Sequence, residues 1–112
     1  MKKAPPFPMD EQEFRNRADE ALTSLNRKLA DAEFEADLNA GALTIEFEDS
    51  STRFVVSPNT PVRQIWVSAH SRSYKLDWDA GRNAFVFRDT GETLTELIQG
   101  AISKQLGEEV TL

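Results

Sequence analysis

Asp31-Ala32-Glu33-Phe34-Glu35-Ala36-Asp37-Leu38-Asn39-Ala40-Gly41-Ala42-Leu43-Thr44-Ile45-Glu46-Phe47-Glu48 is the stretch on which the fold turns. Ala32, Phe34, Ala36 and Leu38 alternate with Asp31, Glu33, Glu35 and Asp37, and then Leu43, Ile45 and Phe47 alternate with Thr44, Glu46 and Glu48. Period two is the pattern of strands that bury one face. Asn39 to Ala42 reads as a four-residue hairpin loop that sets Leu38 opposite Leu43, Ala36 opposite Ile45 and Phe34 opposite Phe47. In that register every apolar side chain shares one face. The other face sets Glu35 opposite Glu46, Glu33 opposite Glu48 and Asp37 opposite Thr44, and like charges directly across a ladder repel. Two facing carboxylate pairs call for a counter-cation.

Upstream, Pro5, Pro6 and Pro8 keep residues 1–9 extended. Asp10 offers an N-cap, Glu13 completes a capping box, and Met9 with Phe14 occupies the positions of a hydrophobic staple. Phe14, Ala18, Ala21, Leu22, Leu25 and Leu29 recur at helical spacing, which predicts a helix of about five turns ending near Leu29. Downstream, Arg53 to Ser57, Gln64 to Ala69, Ser73 to Trp78 and Ala84 to Arg88 read as strands. They are separated by a Pro-bounded turn from Ser57 to Pro61 and a second turn from Asp79 to Asn83. Thr93 and Glu96 form another capping box, and Leu94, Leu97, Ile98, Ala101, Ile102 and Leu106 supply a helical stripe that Gly107 stops. The tail beyond it, with Val110 and Leu112, either tucks against the helices or stays unstructured.

The order helix, strands, helix is α+β: a two-layer α-β sandwich with an antiparallel sheet of five or six strands, covered on one face by the N- and C-terminal helices. The 112 residues leave room for one domain, placed at 10–112. Without cysteine there is no disulfide framework, thiolate zinc site or cysteine nucleophile. No apolar run approaches the roughly 18 residues of a membrane span, and the start lacks the apolar stretch of a signal peptide, so a cytoplasmic location is expected. A net charge of −6 opposes phosphate-backbone binding, and nucleic acid is not an expected partner.

The negative charge is not spread evenly. Asp10 to Asp49 holds twelve acids and four bases, whereas Ser50 to Leu112 holds seven of each. From Leu29 to Thr52 there are seven acids, Asp31, Glu33, Glu35, Asp37, Glu46, Glu48 and Asp49, and no Lys, Arg or His. Such a run is either a solvated face or a local field that attracts cations. Carboxylate oxygen suits calcium, magnesium, manganese or iron better than copper or structural zinc. Acids at i, i+2 and i+4 of one strand face stand about 6.5 to 7 Å apart, so one small ion is not gripped by all of them, and binding should be shallow and weak. An open strand face gives no cleft in which a carboxylate becomes a general acid, and no Ser-His-Asp spacing, P-loop or dinucleotide motif is present, so an enzyme is not expected.

Two aromatic residues and one histidine stand out. With Ile65, Val67 and Ala69 turned to the helices, Gln64, Trp66 and Ser68 point to water. An outward Trp is either an interface anchor or a surface ring lying across neighbouring Arg or Lys stems. Trp78, between Asp77 and Asp79, reads as a core or rim filler, and His70, in Ala69-His70-Ser71-Arg72, as a solvated loop residue.

Val56-Ser57-Pro58-Asn59-Thr60-Pro61-Val62-Arg63-Gln64-Ile65-Trp66-Val67-Ser68 resembles the frataxin signature, in which a polar pair precedes Pro and Gln-Ile/Val-Trp-Leu follows on a central strand. Gly41-Ala42-Leu43-Thr44-Ile45-Glu46-Phe47, Tyr74-Lys75-Leu76-Asp77-Trp78 and Gly91-Glu92-Thr93-Leu94 extend the similarity over about Asp10 to Val110, and the Gly-Glu-Glu-Val-Thr ending resembles the bacterial, CyaY-type members. The resemblance implies an α-β sandwich that binds ferrous or ferric iron weakly on an acidic ridge. It also implies docking on the cysteine desulfurase and scaffold of iron–sulfur cluster assembly, as an iron-responsive regulator or iron donor, monomeric or with an iron-dependent oligomer. Carried over by position, the ridge comprises Asp19 and Glu20 on the first helix, Asp31 after it, and Glu33, Glu35 and Asp37 on the strand. The sheet contact surface comprises Asn59, Gln64, Trp66 and Lys75. Thr23, Arg27 and Lys28 stand where many relatives continue the ridge, and Ser57 and Val62 stand where many have Asn. Two other roles fit the residues: an acidic interaction module with no physiological metal, and an iron-oxidising or storage protein built by oligomerisation of the same ridge.

Overall fold

The computed structural model describes residues 9–48 and 51–112; Asp49 and all but Met9 of the extended segment expected at 1–9 lie outside the described residues. Helix α1 spans Glu11–Asp31, with the Asp10 carboxylate accepting the Glu13 amide at 2.7 Å. Phe14, Ala18, Leu22, Leu25 and Leu29 form its buried stripe, and Met9 is buried in the same core, as a staple requires. The helix runs two residues past Leu29, because nothing in Ala30 or Asp31 breaks it and its end is closed from beyond. The Glu33 and Phe34 amides donate to the Ala30 and Leu29 carbonyls at 3.0 and 2.9 Å, a Schellman motif that requires a left-handed residue. That residue is Glu33, at φ 65°. The alternation beginning at Asp31 therefore does not make a strand there. Asp31 is helical, Ala32 and Glu33 turn, and β1 begins only at Glu35.

Seven antiparallel strands follow in sequence order: β1 Glu35–Asn39, β2 Ala42–Glu46, β3 Arg53–Asn59, β4 Gln64–Ala69, β5 Arg72–Asp79, β6 Ala84–Phe87 and β7 Glu92–Thr93. The sheet is wider than the five or six strands the pattern predicts, because the two-residue β7 carries no periodicity of its own. The first hairpin keeps the expected register, Leu38 opposite Leu43, Ala36 opposite Ile45, Asp37 opposite Thr44 and Glu35 opposite Glu46. Its loop is tighter than expected, since Asn39 and Ala42 also pair and leave only Ala40 and Gly41, both left-handed at φ 53° and 82°. Two left-handed residues match the twist of the flanking strands, as in a type I′ turn. The Glu33–Glu48 and Phe34–Phe47 pairs fall outside the ladder, which stops at Glu35 and Glu46. Pro58, expected in a turn, is a strand residue opposite Ile65. β2 pairs with β3 only up to Val56, so the missing Pro58 amide costs no ladder bond on that side.

Helix α2 spans Leu94–Leu106. It opens on the full capping box, with the Thr93 amide donating to Glu96 at 2.9 Å and the Glu96 amide donating to the Thr93 hydroxyl at 3.2 Å, and it closes on left-handed Gly107. α1 lies along β1 to β3 and α2 along β6 and β7, both on one face of the sheet. Their stripes meet Leu43, Ile45, Phe54, Val56, Ile65, Val67 and Leu76 in one core. The tail folds back on α2: the Val110 amide donates to the Ser103 hydroxyl and the Leu112 amide to the Gln99 side chain, each at 2.9 Å, and both side chains pack on the core. The other sheet face carries cross-strand rows. Asp37, Thr44, Val55, Ser68 and Ser73 form one, Ser57, Trp66 and Lys75 the next, and Asn59, Gln64 and Asp77 a third. Among the described residues no helix is long and apolar enough to cross a membrane.

The two helix ends predict two outcomes. Glu33→Gly, which removes a side chain from a left-handed position, should stabilise the fold by about 1 kcal/mol and raise the melting temperature by a few degrees; a fall would mean that the Glu33 side chain makes a stabilising contact. At α2, the Thr93 amide and then its hydroxyl, joined by Arg82, hold the Glu96 carboxyl below the ordinary glutamate value of 4.5. The unfolded chain binds that proton more tightly, so the charged box stabilises fully above the unfolded value and ceases to do so as pH falls through the lower folded one. The melting-temperature gap between the protein and Glu96→Gln should be full at neutral pH and close in acid; a gap independent of pH would contradict this.

Candidate functional site

The six acidic residues expected to bind a cation are all exposed, but they are not one continuous row. Glu35 and Asp37 sit on the open face of β1, Glu33 in the turn that ends α1, and Asp31 on the last residue of that helix. On α1, Asp19 and Glu20 face different ways. Asp19 lines a concavity with Gly41 and Thr60 at the hairpin turn, whereas Glu20 lines another with Trp78 and Phe85. Glu20 also lies 4.0 Å from Arg17, whose guanidinium is 5.0 Å from the Trp78 ring. Trp78 packs edge-on to Phe85 at 5.1 Å and fills the rim.

The acids concentrate at the open end of the first hairpin. Glu33, Glu35, Glu46 and Glu48 line a concavity of about 460 Å³ together with Phe34, Phe47, Gln105 and Leu106. Glu35 and Glu46 also line an adjoining one of about 520 Å³ with Asp37, Thr44 and Arg53. Glu46 and Glu48 thus join the site although the resemblance did not place them there. The alternation that aligned them with Glu35 and Glu33 was the available signal.

Arg53 is a correction. A run of seven acids with no base suggests that nothing inside the protein answers it, yet Arg53, one residue beyond the run and opposite Glu46 on β3, brings its guanidinium to 3.7 Å from the Glu46 carboxylate. Both groups are well exposed, so the pair contributes little. Asp31, Glu33, Glu35, Asp37 and Glu48 make no ion pair among the described residues. Nor do any three carboxylate or imidazole groups there stand close enough to enclose a metal. The geometry suits hydrated, rapidly exchanging cations, or the ammonium and guanidinium groups of another protein, better than a caged ion.

On the open sheet face Asn59, Gln64, Trp66 and Lys75 fall on two adjacent rows. Trp66 is 37% exposed and turned outward, as the alternation predicts. Its indole N–H donates to Gln64 Oε1 at 2.9 Å, and the Gln64 amide donates to Asp77 Oδ1 at 3.2 Å. Asp77 Oδ2 in turn lies 3.4 Å from Arg88 Nε. The Lys75 ammonium stands 5.0 Å from the Trp66 ring centroid. The ring is therefore both outward and flanked by a lysine. Its polar edge is fixed by a chain of partners, while much of its surface remains available. Asp77 and Arg88 were not legible as parts of this surface, since only the cross-strand register sets Asp77 opposite Gln64.

With this geometry in place, the comparisons with known proteins agree with one another. The family profile described as Frataxin-like domain matches residues 7–108. The "Iron-sulfur cluster assembly protein CyaY" of Tolumonas auensis is 35% identical over 82 residues, covering 73% of this chain and 76% of the relative. The protein of the same description from Azotobacter vinelandii is 28% identical over 104 residues, covering 91% and 94%. The solved structure of frataxin from Psychromonas ingrahamii superposes with a TM-score of 0.80 at 25% identity, covering 92% of this chain and 97% of that one. An antiparallel sheet covered on one face by two terminal helices, a proline-flanked approach to an outward Trp, and a profile match across most of the sequence together place this chain in the frataxin family.

Proposed function

We propose that this chain is an accessory protein of iron–sulfur cluster assembly. It binds iron weakly at the hairpin's acidic end and docks on the cysteine desulfurase and scaffold, either regulating them or supplying iron. The observation that carries this reading is the set of exposed carboxylates at Asp31, Glu33, Glu35, Asp37 and Glu48 that make no ion pair among the described residues. Membership of the family and the description of the two relatives as cluster assembly proteins support the pathway. The same field serves both parts of the role, since a surface that attracts hydrated iron also steers a basic patch on a partner. The sheet face supplies the short-range part of the contact through Trp66, held by Gln64 and flanked by Lys75, with Asn59 beside it. No catalytic residue is assigned, because every carboxylate of the acidic end is exposed and none is desolvated as a general acid requires.

A second reading keeps the docking and drops the metal: an acidic interaction module. It is favoured by the lack of three converging ligands among the described residues. Anaerobic titration with ferrous iron, followed by amide spectra, separates the two. The iron-binding role predicts selective broadening from Asp31 to Asp37 and around Glu46 and Glu48, and uniform or absent change would leave only the module.

Two variants test the docking. Reversing Glu33, Glu35 and Asp37 to Lys should weaken desulfurase binding at least tenfold at low salt and flatten its salt dependence; unchanged pull-down would remove the electrostatic part. Trp66→Ala should lower partner affinity by about 2 kcal/mol or more, as for an interface anchor, while leaving the melting temperature nearly unchanged. A large fall in melting temperature would show that the ring serves the fold instead.

A further inference from the structure

Across Gln105 from the acidic end lies a concavity of opposite character. It sits between the β4–β5 turn, the face of β5 turned toward α2 and the last turns of α2, and encloses about 260 Å³. Its polar lining is His70, Arg72, Tyr74, Thr90, Glu92 and Lys104. Neither Arg72 nor Lys104 has a carboxylate partner among the described residues, in a chain where acids outnumber bases 19 to 13. The lone carboxylate of the lining, Glu92, accepts the Thr90 hydroxyl at 2.8 Å. An acidic protein thus maintains a pocket with positive excess.

Three features show that the pocket is organised. Arg72 pairs with buried Ala69 and so points to the helix side of the sheet, with its guanidinium 5.4 Å from the Tyr74 ring centroid. Tyr74 is in turn fixed edge-on to Phe87 at 5.2 Å and 85°. The turn that starts the pocket is strained: His70 and Ser71 are both left-handed, at φ 51° and 62°, where Gly or Asn is the usual choice. His70 is half-buried rather than solvated, its ring edge-on to Phe54 at 5.0 Å and its Nε2–H donating to Gln105 Oε1 at 2.9 Å on α2. That contact holds the turn against the helix that carries Lys104.

We propose that this pocket binds a small oxyanion, a phosphate or carboxylate, carried on an apolar body. The guanidinium fork of Arg72 and the Lys104 ammonium recognise the oxyanion through charge-assisted hydrogen bonds, with the Tyr74 hydroxyl as a further donor. Phe87, Leu97 and Ala101, with the Tyr74 ring, form the wall that takes the apolar part. The volume falls just below the roughly 300 to 1,000 Å³ of drug-sized sites, which limits the ligand to about one ring or a short chain. Glu92 sets the selectivity, since it repels an anion unless the ligand supplies enough contacts to offset it.

The test is an amide-detected titration of the whole chain with phenyl phosphate, benzoate and inorganic phosphate. Phenyl phosphate or benzoate should give saturable shifts confined to His70 to Tyr74, Thr90 to Glu92 and Ala101 to Gln105, and whichever of the two binds more tightly identifies the oxyanion. Inorganic phosphate should act on the same residues more weakly. Arg72→Ala and Lys104→Ala, both at exposed positions, should each weaken binding about tenfold, and Glu92→Gln should tighten it severalfold. Shifts that never saturate, that spread over all basic residues, or that survive the Arg72 and Lys104 substitutions would overturn the assignment.

Discussion

Glu35 stands directly across the first hairpin from Glu46, and among the described residues one exposed guanidinium, Arg53, answers that repulsion from the far side of Glu46. Like charges at facing ladder positions destabilise a sheet. The hairpin bears this because its other face is fixed: Leu43 and Ile45 are fully buried, and slipping by one residue would turn them to water. The hydrophobic register therefore dictates where the carboxylates go. Their alignment follows from burying the apolar half of the same alternation.

The helix before the hairpin adds to the concentration. α1 ends by donating two amides back to its last turn, and the residue that must be left-handed for this is Glu33 rather than Gly. The strain carries a carboxylate into the mouth of the hairpin, beside Glu35, Glu46 and Glu48. At the equivalent point of α2 the chain uses Gly107, at no such cost. A strained residue whose side chain joins a charged concavity fits a pattern in which strain is stored where function needs it. On the open face of the sheet, Trp66 is oriented by Gln64 and Asp77, and the register sets Glu35, Asp37 and Glu46 on that same face.

Much of this was legible in the sequence. The buried stripes of both helices, the capping box at Thr93 and Glu96, the pairing of Glu35 with Glu46 and the outward Trp66 follow from periodicity and cap chemistry, which are local. The boundaries were less clear. Alternation continues back to Asp31, but the helix claims that residue because its carbonyls find partners in Glu33 and Phe34, a competition that the pattern alone does not decide. Strand β7 is two residues long and exists only through pairing with β6. What depended on distant segments was not readable: Arg53 beside Glu46, Asp77 below Gln64, the opposed directions of Asp19 and Glu20, and the meeting of Arg72 with Lys104 from β5 and α2.

Glu35 and Asp37, which make no ion pair among the described residues, push against each other and against Glu46 in the folded state. The most direct measurement is the melting temperature of the protein and of the Glu35→Gln/Asp37→Asn double variant as salt rises from about 0.01 to about 1 M, across which the screening length shrinks from roughly 30 to 3 Å. The variant should melt higher at low salt, the protein should gain more from added salt, and the two curves should converge. A variant that melts lower at low salt, or a salt response equal in both, would show that these carboxylates are already satisfied within the fold.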